Sequence, residues 1–220
     1  MAIVFPKSVF VHTPRTGGTF TRSALKHTAI HKVSFEAHPP TVKRAAGIHF
    51  RLRDIDPAIL EGRFVWSNVR NPLSYLRSRW CSHLRSALQL VRIPNRHLLF
   101  LEDDDFATFV EKYVQYSPGS VSRFFRNRLT KDGRYPAVDY VVKTENLPHD
   151  LITVLELAGE DISEEEKQAI LNEPPRHVKA STPENKIRTE LPLSLKKDLL
   201  DCEREIIDLF GYDYDELLLL

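Results

Sequence analysis

The chain has 220 residues, of which 42% are hydrophobic and 28% are charged, and its formal net charge at pH 7 is +1. With 8 Gly and 14 Pro, this composition is typical of a globular protein and excludes collagen-like, coiled-coil and disordered chains. Because domains contain roughly 100–200 residues, the length predicts a single domain that covers residues 1–220.

The small net charge conceals an uneven distribution along the chain. Residues 1–100 contain 16 Lys and Arg against 4 Asp and Glu, whereas residues 101–220 contain 15 against 26. A half this basic either packs against the acidic half or binds an anionic ligand. The basic residues occur singly rather than in a Lys-rich block, which argues against a nucleic-acid partner.

The sequence gives little indication of a membrane span, a signal peptide or a site built from cysteines. No apolar run approaches the roughly 20 residues that a membrane span needs, and Pro6 and Lys7 interrupt the first apolar segment. Cys81 and Cys202 lie far apart, so we expect neither a disulfide framework nor a cysteine zinc site. These features predict a cytoplasmic protein without a transmembrane segment or a metal.

Taken in chain order, strands alternate with helices. Short apolar runs predict strands at Ser8–His12, Phe64–Val69 and Tyr140–Lys143. Apolar spacing, caps and turn residues predict helices at Phe20–Thr28, after Asp56-Pro57, from Pro72 to about Val91, and at Asp105–Tyr116, Pro148–Ala158, Ser163–Leu171 and Ser194–Phe210. This alternation predicts an α/β fold with a parallel central sheet flanked by helices. Ligands of such sheets bind outside the carboxyl ends of the strands.

The first strand leads into a glycine-containing loop, His12-Thr13-Pro14-Arg15-Thr16-Gly17-Gly18-Thr19. A glycine pair between a strand and a helix lets backbone N–H groups face a phosphate-like anion. Thr16 and Thr19 add hydroxyl donors, and Arg15 adds a fixed positive charge. The loop is not GxxxxGK[ST], because the glycines follow the basic residue, so a nucleotide kinase is disfavoured. An ordinary glycine turn beside a surface Arg is the alternative.

A second strand-to-helix turn carries Arg70-Asn71-Pro72, with Ser78 eight residues after the Arg. Eight residues are about two helical turns, so Arg70 and the Ser78 hydroxyl can bind one phosphate from two sides. Asn-Pro is also a standard turn signal, and a turn without function is the alternative.

Together, the two segments resemble sulfotransferases that use 3′-phosphoadenosine 5′-phosphosulfate, above all the group of the heparan sulfate 2-O- and 6-O-sulfotransferases. A segment like His12–Thr19 binds the 5′-phosphosulfate there, and a segment like Arg70–Pro72 with Ser78 binds the 3′-phosphate. The resemblance extends faintly to Lys143–Leu147 and to Phe210-Gly211-Tyr212. It implies a P-loop-like phosphosulfate-binding loop with the cofactor contacts Arg15, Thr16, Gly17, Gly18, Thr19, Phe20, Arg70 and Ser78.

Two residues depart from the family's pattern, because Arg15 stands where Lys is usual and Phe20 where a small hydroxyl residue is usual. The resemblance also implies catalytic roles for Arg15 and His49. His49 lies between the two phosphate motifs, where a family histidine acts as the base, and imidazole suits that task at neutral pH. His38 and Glu36 are the next candidates for the base, and a surface histidine without function is the alternative reading of His49.

A late polar segment, His177 to Lys186, lies where family members close a loop over the nucleotide. It suggests Lys179 and Ser181 as further cofactor contacts, with Lys186 as another candidate. A solvated loop without function is the alternative.

The expected function is transfer of a sulfuryl group to a hydroxyl, less often an amine, with adenosine 3′,5′-bisphosphate as the product. A saccharide, a lipid, a metabolite or a peptide could be the acceptor, since each presents hydroxyls. Two alternatives stay open, namely a non-catalytic protein that binds nucleotides or polyanions and a P-loop phosphotransferase that uses a nucleoside triphosphate.

Overall fold

The computed structural model describes residues 2–30, 32–35, 51–88, 105–174 and 189–220. The chain divides into two compact units. The first comprises Met1–Arg70 and Phe124–Arg176, and the second comprises Asn71–Arg123 and His177–Leu220. The single domain expected from the length stays a prediction.

The first unit is built on one sheet of five strands. They are β1 (Ala2–Val4), β2 (Ser8–Val11), β3 (Val33–Phe35), β4 (Phe64–Val69) and β5 (Tyr140–Lys143), in the spatial order β3-β1-β2-β4-β5. β2 pairs in parallel with β4, and β4 pairs in parallel with β5. The three strands predicted from the sequence are therefore confirmed, and β2 ends one residue earlier than expected.

The expectation of a parallel sheet is wrong, because the sheet is mixed. β1 pairs antiparallel with both β2 and β3, so among the strands described it alone runs against the others. The reason is the connection between β1 and β2, which is only three residues long and is closed by the amide of Phe5 on the carbonyl of Ser8 at 2.9 Å. A parallel pair needs a crossover of a dozen or more residues, so this short turn permits only a hairpin.

Helices of the first unit cover the sheet. They are α1 (Gly18–Ala24), which continues as a 3₁₀ turn over Leu25–His27, α2 (Pro57–Leu60), α6 (His149–Leu157) and α7 (Glu164–Leu171). On β2, Phe10 belongs to one apolar cluster, whereas Val9 and Val11 belong to another. Because side chains alternate along a strand, the sheet is buried on both faces. Stacking of Phe10 on Trp66, with ring centroids 4.5 Å apart, joins β2 to β4 within the first cluster.

The second unit is helical. It contains α3 (Pro72–Leu88), α4 (Phe106–Tyr116), α8 (Leu193–Cys202), α9 (Arg204–Leu209) and α10 (Tyr214–Leu219), while α5 (Ser120–Leu129) crosses the boundary between the units. Caps support the predicted starts of two helices: Asp105 accepts from the Thr108 amide at α4, and Ser163 with Glu166 forms a capping box at α7. In the part of the chain that the structure describes, no helix is long and apolar enough to cross a membrane.

The predicted helix Ser194–Phe210 is in fact two helices, and Glu203 lies between them. The Glu203 side chain is completely buried and accepts hydrogen bonds from the amides of Val121 and Ser122 at 3.1 and 2.7 Å. It also accepts from the hydroxyls of Tyr113 and Ser122. A carboxylate that accepts from this many donors joins the start of α5 to the break between α8 and α9.

Candidate functional site

The site lies at the carboxyl edge of the sheet in the first unit. β2, β4 and β5 run in parallel and end at Val11, Val69 and Lys143. After β2 the chain goes to β3 on one side of the sheet, and after β4 it goes to β5 on the other. Such a divergence is where ligands bind in open α/β sheets.

The loop between β2 and α1 has an unusual backbone. Arg15 has φ 70° and Gly17 has φ 78°, so both lie in the left-handed region. A non-glycine residue there is uncommon, and such residues cluster at functional sites. Gly17 is the N-cap of α1, and no side chain among the described residues caps this helix. The first amides of a helix have no intrahelical acceptor, so they suit an anion.

Both glycines of this loop lie very close to neighbouring side chains. A Cβ on Gly18 would lie 2.1 Å from Cδ2 and Nε2 of His12, and a Cβ on Gly17 would lie 2.8 Å from Cδ1 of Leu147. Real Cβ contacts are essentially never this short. The loop is therefore seated between the His12 ring and the turn that follows β5.

Asn68 fixes the loop from the neighbouring strand β4. Its side chain is completely buried, and its amide nitrogen donates to the carbonyl of Thr16 at 2.8 Å and to Oγ1 of Thr21 at 2.9 Å. One side chain thus joins the loop to the first helical turn of α1. Because the network is buried, these hydrogen bonds are stronger than they would be in contact with water.

A second set of buried hydroxyls supports the start of the loop. Ser67 donates to the carbonyl of Val11 at 2.7 Å, and its Oγ lies 3.0 Å from Oγ1 of Thr13. The Thr16 hydroxyl donates to the carbonyl of Thr13 at 2.7 Å. The hydroxyl predicted to contact a ligand at Thr16 therefore supports the loop's own backbone here.

Positive charge at this edge comes from Arg15 and Arg70. Arg15 is exposed, and the guanidinium of the half-buried Arg70 donates from Nη1 to the carbonyl of Arg15 at 3.3 Å. Thr144, which follows β5, donates its hydroxyl to the carbonyl of Val69 at 2.7 Å. The ends of β2, β4 and β5 are thus joined, and Arg70 lies against the backbone of the glycine loop.

The structure brings together only some of the residues predicted from the sequence. Arg15, Gly17, Gly18 and Arg70 lie at one edge, with Thr19 exposed on α1. The side chain of Phe20 is buried in the apolar core, so only its backbone can serve a ligand. Ser78 lies on α3, which belongs to the second unit. The remaining predicted residues are outside the described residues: His49, Lys179, Ser181, His38, Glu36 and Lys186.

Sequence reasoning missed the residues that hold the loop, namely Thr13, Ser67, Asn68 and Thr144. Two of them gave a signal, because Ser67 and Asn68 are polar residues inside the apolar strand Phe64–Val69. A polar side chain in a buried strand needs a hydrogen-bond partner. Here the partners are backbone carbonyls at the end of the adjacent strand β2 and in the loop after it, those of Val11 and Thr16.

Comparison with known protein families, with characterised proteins and with solved structures finds no match to this chain. Within the described ranges, no group of three or more His, Cys, Asp or Glu side chains could hold a metal ion.

Proposed function

We propose that this chain is a sulfotransferase that moves a sulfuryl group from 3′-phosphoadenosine 5′-phosphosulfate to a hydroxyl of an acceptor. The observation that carries the proposal is the position of the Arg70 guanidinium, 3.3 Å from the backbone of Arg15 in the glycine loop. Arg70, from the second segment predicted to bind phosphate, thus contacts the first such segment at the edge where α/β sheets bind ligands.

The residues present fit a phosphosulfate. The segment from His12 to Ala24 contains no Asp or Glu, and the first turn of α1 carries no acidic residue, so no carboxylate of the loop would repel an anion. Arg15 and Arg70 supply cationic donors, and the uncapped amides at the start of α1 supply neutral ones. The buried Asn68 holds the loop at Thr16 and α1 at Thr21 before a ligand arrives.

Each residue then has a defined task. The cofactor supplies an activated sulfuryl group and a leaving group that is stable as an anion. Arg15 and the amides of Gly17 and Gly18 stabilise the charge that develops on the leaving oxygen. Arg70 binds the 3′-phosphate, and a contribution of Ser78 there is proposed from the sequence alone.

The transfer itself is a single displacement at sulfur. The acceptor oxygen forms a bond to sulfur while the bond between sulfur and the phosphate oxygen breaks. The acceptor proton goes to His49, whose role is proposed from its position in the sequence; an imidazole side chain suits this task at neutral pH. Fixed donors carry the charge, so the proposal requires no metal.

Nucleotide binding is the first test of this proposal. A ligand that binds only the folded state raises the melting temperature by mass action. Adenosine 3′,5′-bisphosphate should therefore raise it far more than ATP with magnesium. Stabilisation by ATP that equals or exceeds this would refute the proposal and favour a phosphotransferase.

Variants separate binding from turnover. Arg70→Ala should weaken adenosine 3′,5′-bisphosphate at least tenfold, because a charge-assisted hydrogen bond contributes about 1.5–3 kcal/mol. Arg134→Ala, at an exposed arginine of the same unit, is the matched control and should bind normally. With a labelled phosphosulfate donor and a panel of saccharide, lipid, metabolite and peptide acceptors, Arg15→Ala should lower kcat rather than raise KM. Binding without turnover on any acceptor would instead indicate a non-catalytic nucleotide-binding protein.

A further inference from the structure

A cavity of about 520 Å³ lies in the first unit, and the proposed function does not use it. Pro6 and Lys7, which line it, come directly before β2, whereas the candidate site follows the carboxyl ends of β2, β4 and β5. The cavity therefore lies at the opposite edge of the sheet. Its volume is within the range of about 300–1,000 Å³ that is usual for small-molecule sites.

A buried carboxylate lines this cavity. Glu160, which follows α6, is 6% exposed, and its Oε1 accepts a hydrogen bond from the amide of Lys7 at 3.0 Å. Its Oε2 accepts no hydrogen bond from any described residue, and this atom is not sealed in the interior. A carboxylate offers about four acceptor positions, and a buried charge in a protein is normally paired. Oε2 is thus a charged acceptor that is open to the cavity.

The two lysines of this region do not pair with Glu160. The ammonium of Lys7 donates to the carbonyl of Gly159 at 2.5 Å, and it forms no ion pair with a carboxylate in the part of the chain described. Lys32 lies outside the lining and interacts electrostatically with Glu166. The charge of Glu160 therefore has no cationic partner among the described residues.

The other carboxylates of the lining add negative charge. Both oxygens of Glu166 accept from the backbone, one from the amide of Ala29 at 2.5 Å and the other from that of Ser163 at 2.8 Å. Asp161 is exposed. Among the described lining residues, three carboxylates thus face the single ammonium of Lys7. No group of three such side chains within the described ranges is placed to hold a metal ion, so the arrangement fits an organic cation better.

We propose that this cavity binds a primary ammonium group carried on a short apolar chain. The ammonium donates to Oε2 of Glu160, and the chain lies along the apolar part of the lining, which Pro6, Ala29 and Ile30 supply. Ile30 is 9% exposed, so this wall reaches into the interior. The inference uses no residue of the phosphosulfate site, so it stands or falls independently of the proposed function.

Isothermal titration with hexylamine, 1-hexanol and hexanoate at pH 7 tests the proposal. An alkylamine is protonated at this pH, as a lysine side chain is. Hexylamine should therefore bind saturably at one site, and the neutral alcohol and the anion should bind at least tenfold more weakly. If hexylamine does not saturate, or if 1-hexanol binds as tightly, the proposal is overturned.

Substitutions locate the site. Glu160→Gln should weaken hexylamine at least tenfold, because it removes the charge while its side-chain carbonyl can still accept from the amide of Lys7. Glu165→Gln, at an exposed carboxylate of α7 outside the cavity lining, is the matched control and should bind like the wild type. Equal affinity of the wild type and a folded Glu160→Gln variant would overturn the proposal.

A surface variant keeps the test decisive if Glu160→Gln does not fold. Asp161→Asn removes a negative charge from the lining without touching the interior. It should weaken hexylamine about two- to fivefold, as expected for a solvent-screened charge pair. Unchanged affinity in this variant would contradict the proposed electrostatics and overturn the assignment.

Discussion

Replacement of Gly18 by Ala tests the packing of the glycine loop directly. The new Cβ would lie 2.1 Å from two atoms of the His12 ring. Ordinary carbon contacts are about 3.5–4.0 Å, so the ring or the start of α1 must move by about 1.5 Å. The ring also packs against Phe10, with centroids 6.0 Å apart, so its movement disturbs a second contact. Overpacking of this kind costs about 1–3 kcal/mol in the free energy of unfolding.

A double-mutant cycle with His12→Ala isolates this contact. Urea unfolding followed by tryptophan fluorescence gives the free energy of unfolding for each variant. His12→Ala removes the ring, so the double variant should be more stable than the sum of the single effects by about 1–2 kcal/mol, within the range for residues in contact.

The control for this cycle is Gly62→Ala. Gly62 has φ +66° and no atom near its potential Cβ, so only backbone strain is added and His12→Ala should not rescue it. If the effects of Gly18→Ala and His12→Ala simply add, the ring does not constrain Gly18 and the account of the loop is wrong.

Three further predictions concern the proposed base His49, a buried carboxylate and a tyrosine. His49→Ala should lower kcat by at least about 100-fold and leave adenosine 3′,5′-bisphosphate affinity unchanged, as for a general base that faces the acceptor; near-full activity would exclude it. Glu203→Gln should lower the free energy of unfolding by at least about 2 kcal/mol, since an NH₂ group then faces a buried backbone amide that can only donate, and each of the two unsatisfied groups costs about 1–3 kcal/mol. Glu111→Gln, at an exposed site on α4, is its control. Burial and the hydrogen bond that Tyr214 donates to an aspartate, at 2.6 Å, raise the pKa of Tyr214 to about 12. An unfolded tyrosine loses its proton near pH 10, so stability falls between pH 10 and 12 as the unfolded state ionises first. Tyr214→Phe should show a smaller fall in urea titrations over this range, and an identical slope would contradict the assignment.

The sequence predicts the elements whose signal is local. Phe64–Val69 and Tyr140–Lys143 are strands with the bounds expected from their apolar runs. β1 and β3 were missed because three residues are too few to show periodicity. The break at Glu203 was missed for another reason, because the residues that its carboxylate binds, Tyr113, Val121 and Ser122, lie far away in the sequence.

In the candidate site, too, local sequence patterns could be predicted, whereas contacts between residues distant in the sequence could not. The loop that contains Gly17 and Gly18 was predicted, since a glycine pair between a strand and a helix is a local pattern; contact of these glycines with a cofactor stays a prediction. That Asn68 holds the Thr16 carbonyl could not be predicted, because the bond exists only once β2 and β4 lie side by side. Likewise, the hydrophobic environment of Phe20 follows from how α1 packs on the sheet, and no local pattern encodes it.

The two hydrogen bonds of Asn68 also predict the kinetics with which the proposed anionic cofactor binds to the loop. The loop and the first turn of α1 are already joined by two buried hydrogen bonds, so an arriving anion need not order this backbone. In stopped-flow experiments, association at this edge should be single-exponential, with a rate that increases linearly with ligand concentration and does not level off. Under the proposed function, Arg15 and Arg70 would attract the anionic cofactor from a distance, so that rate should fall as salt is added, while the dissociation rate changes little. Asn68→Ala would leave the loop to order after encounter, and the rate should then level off at high ligand concentration.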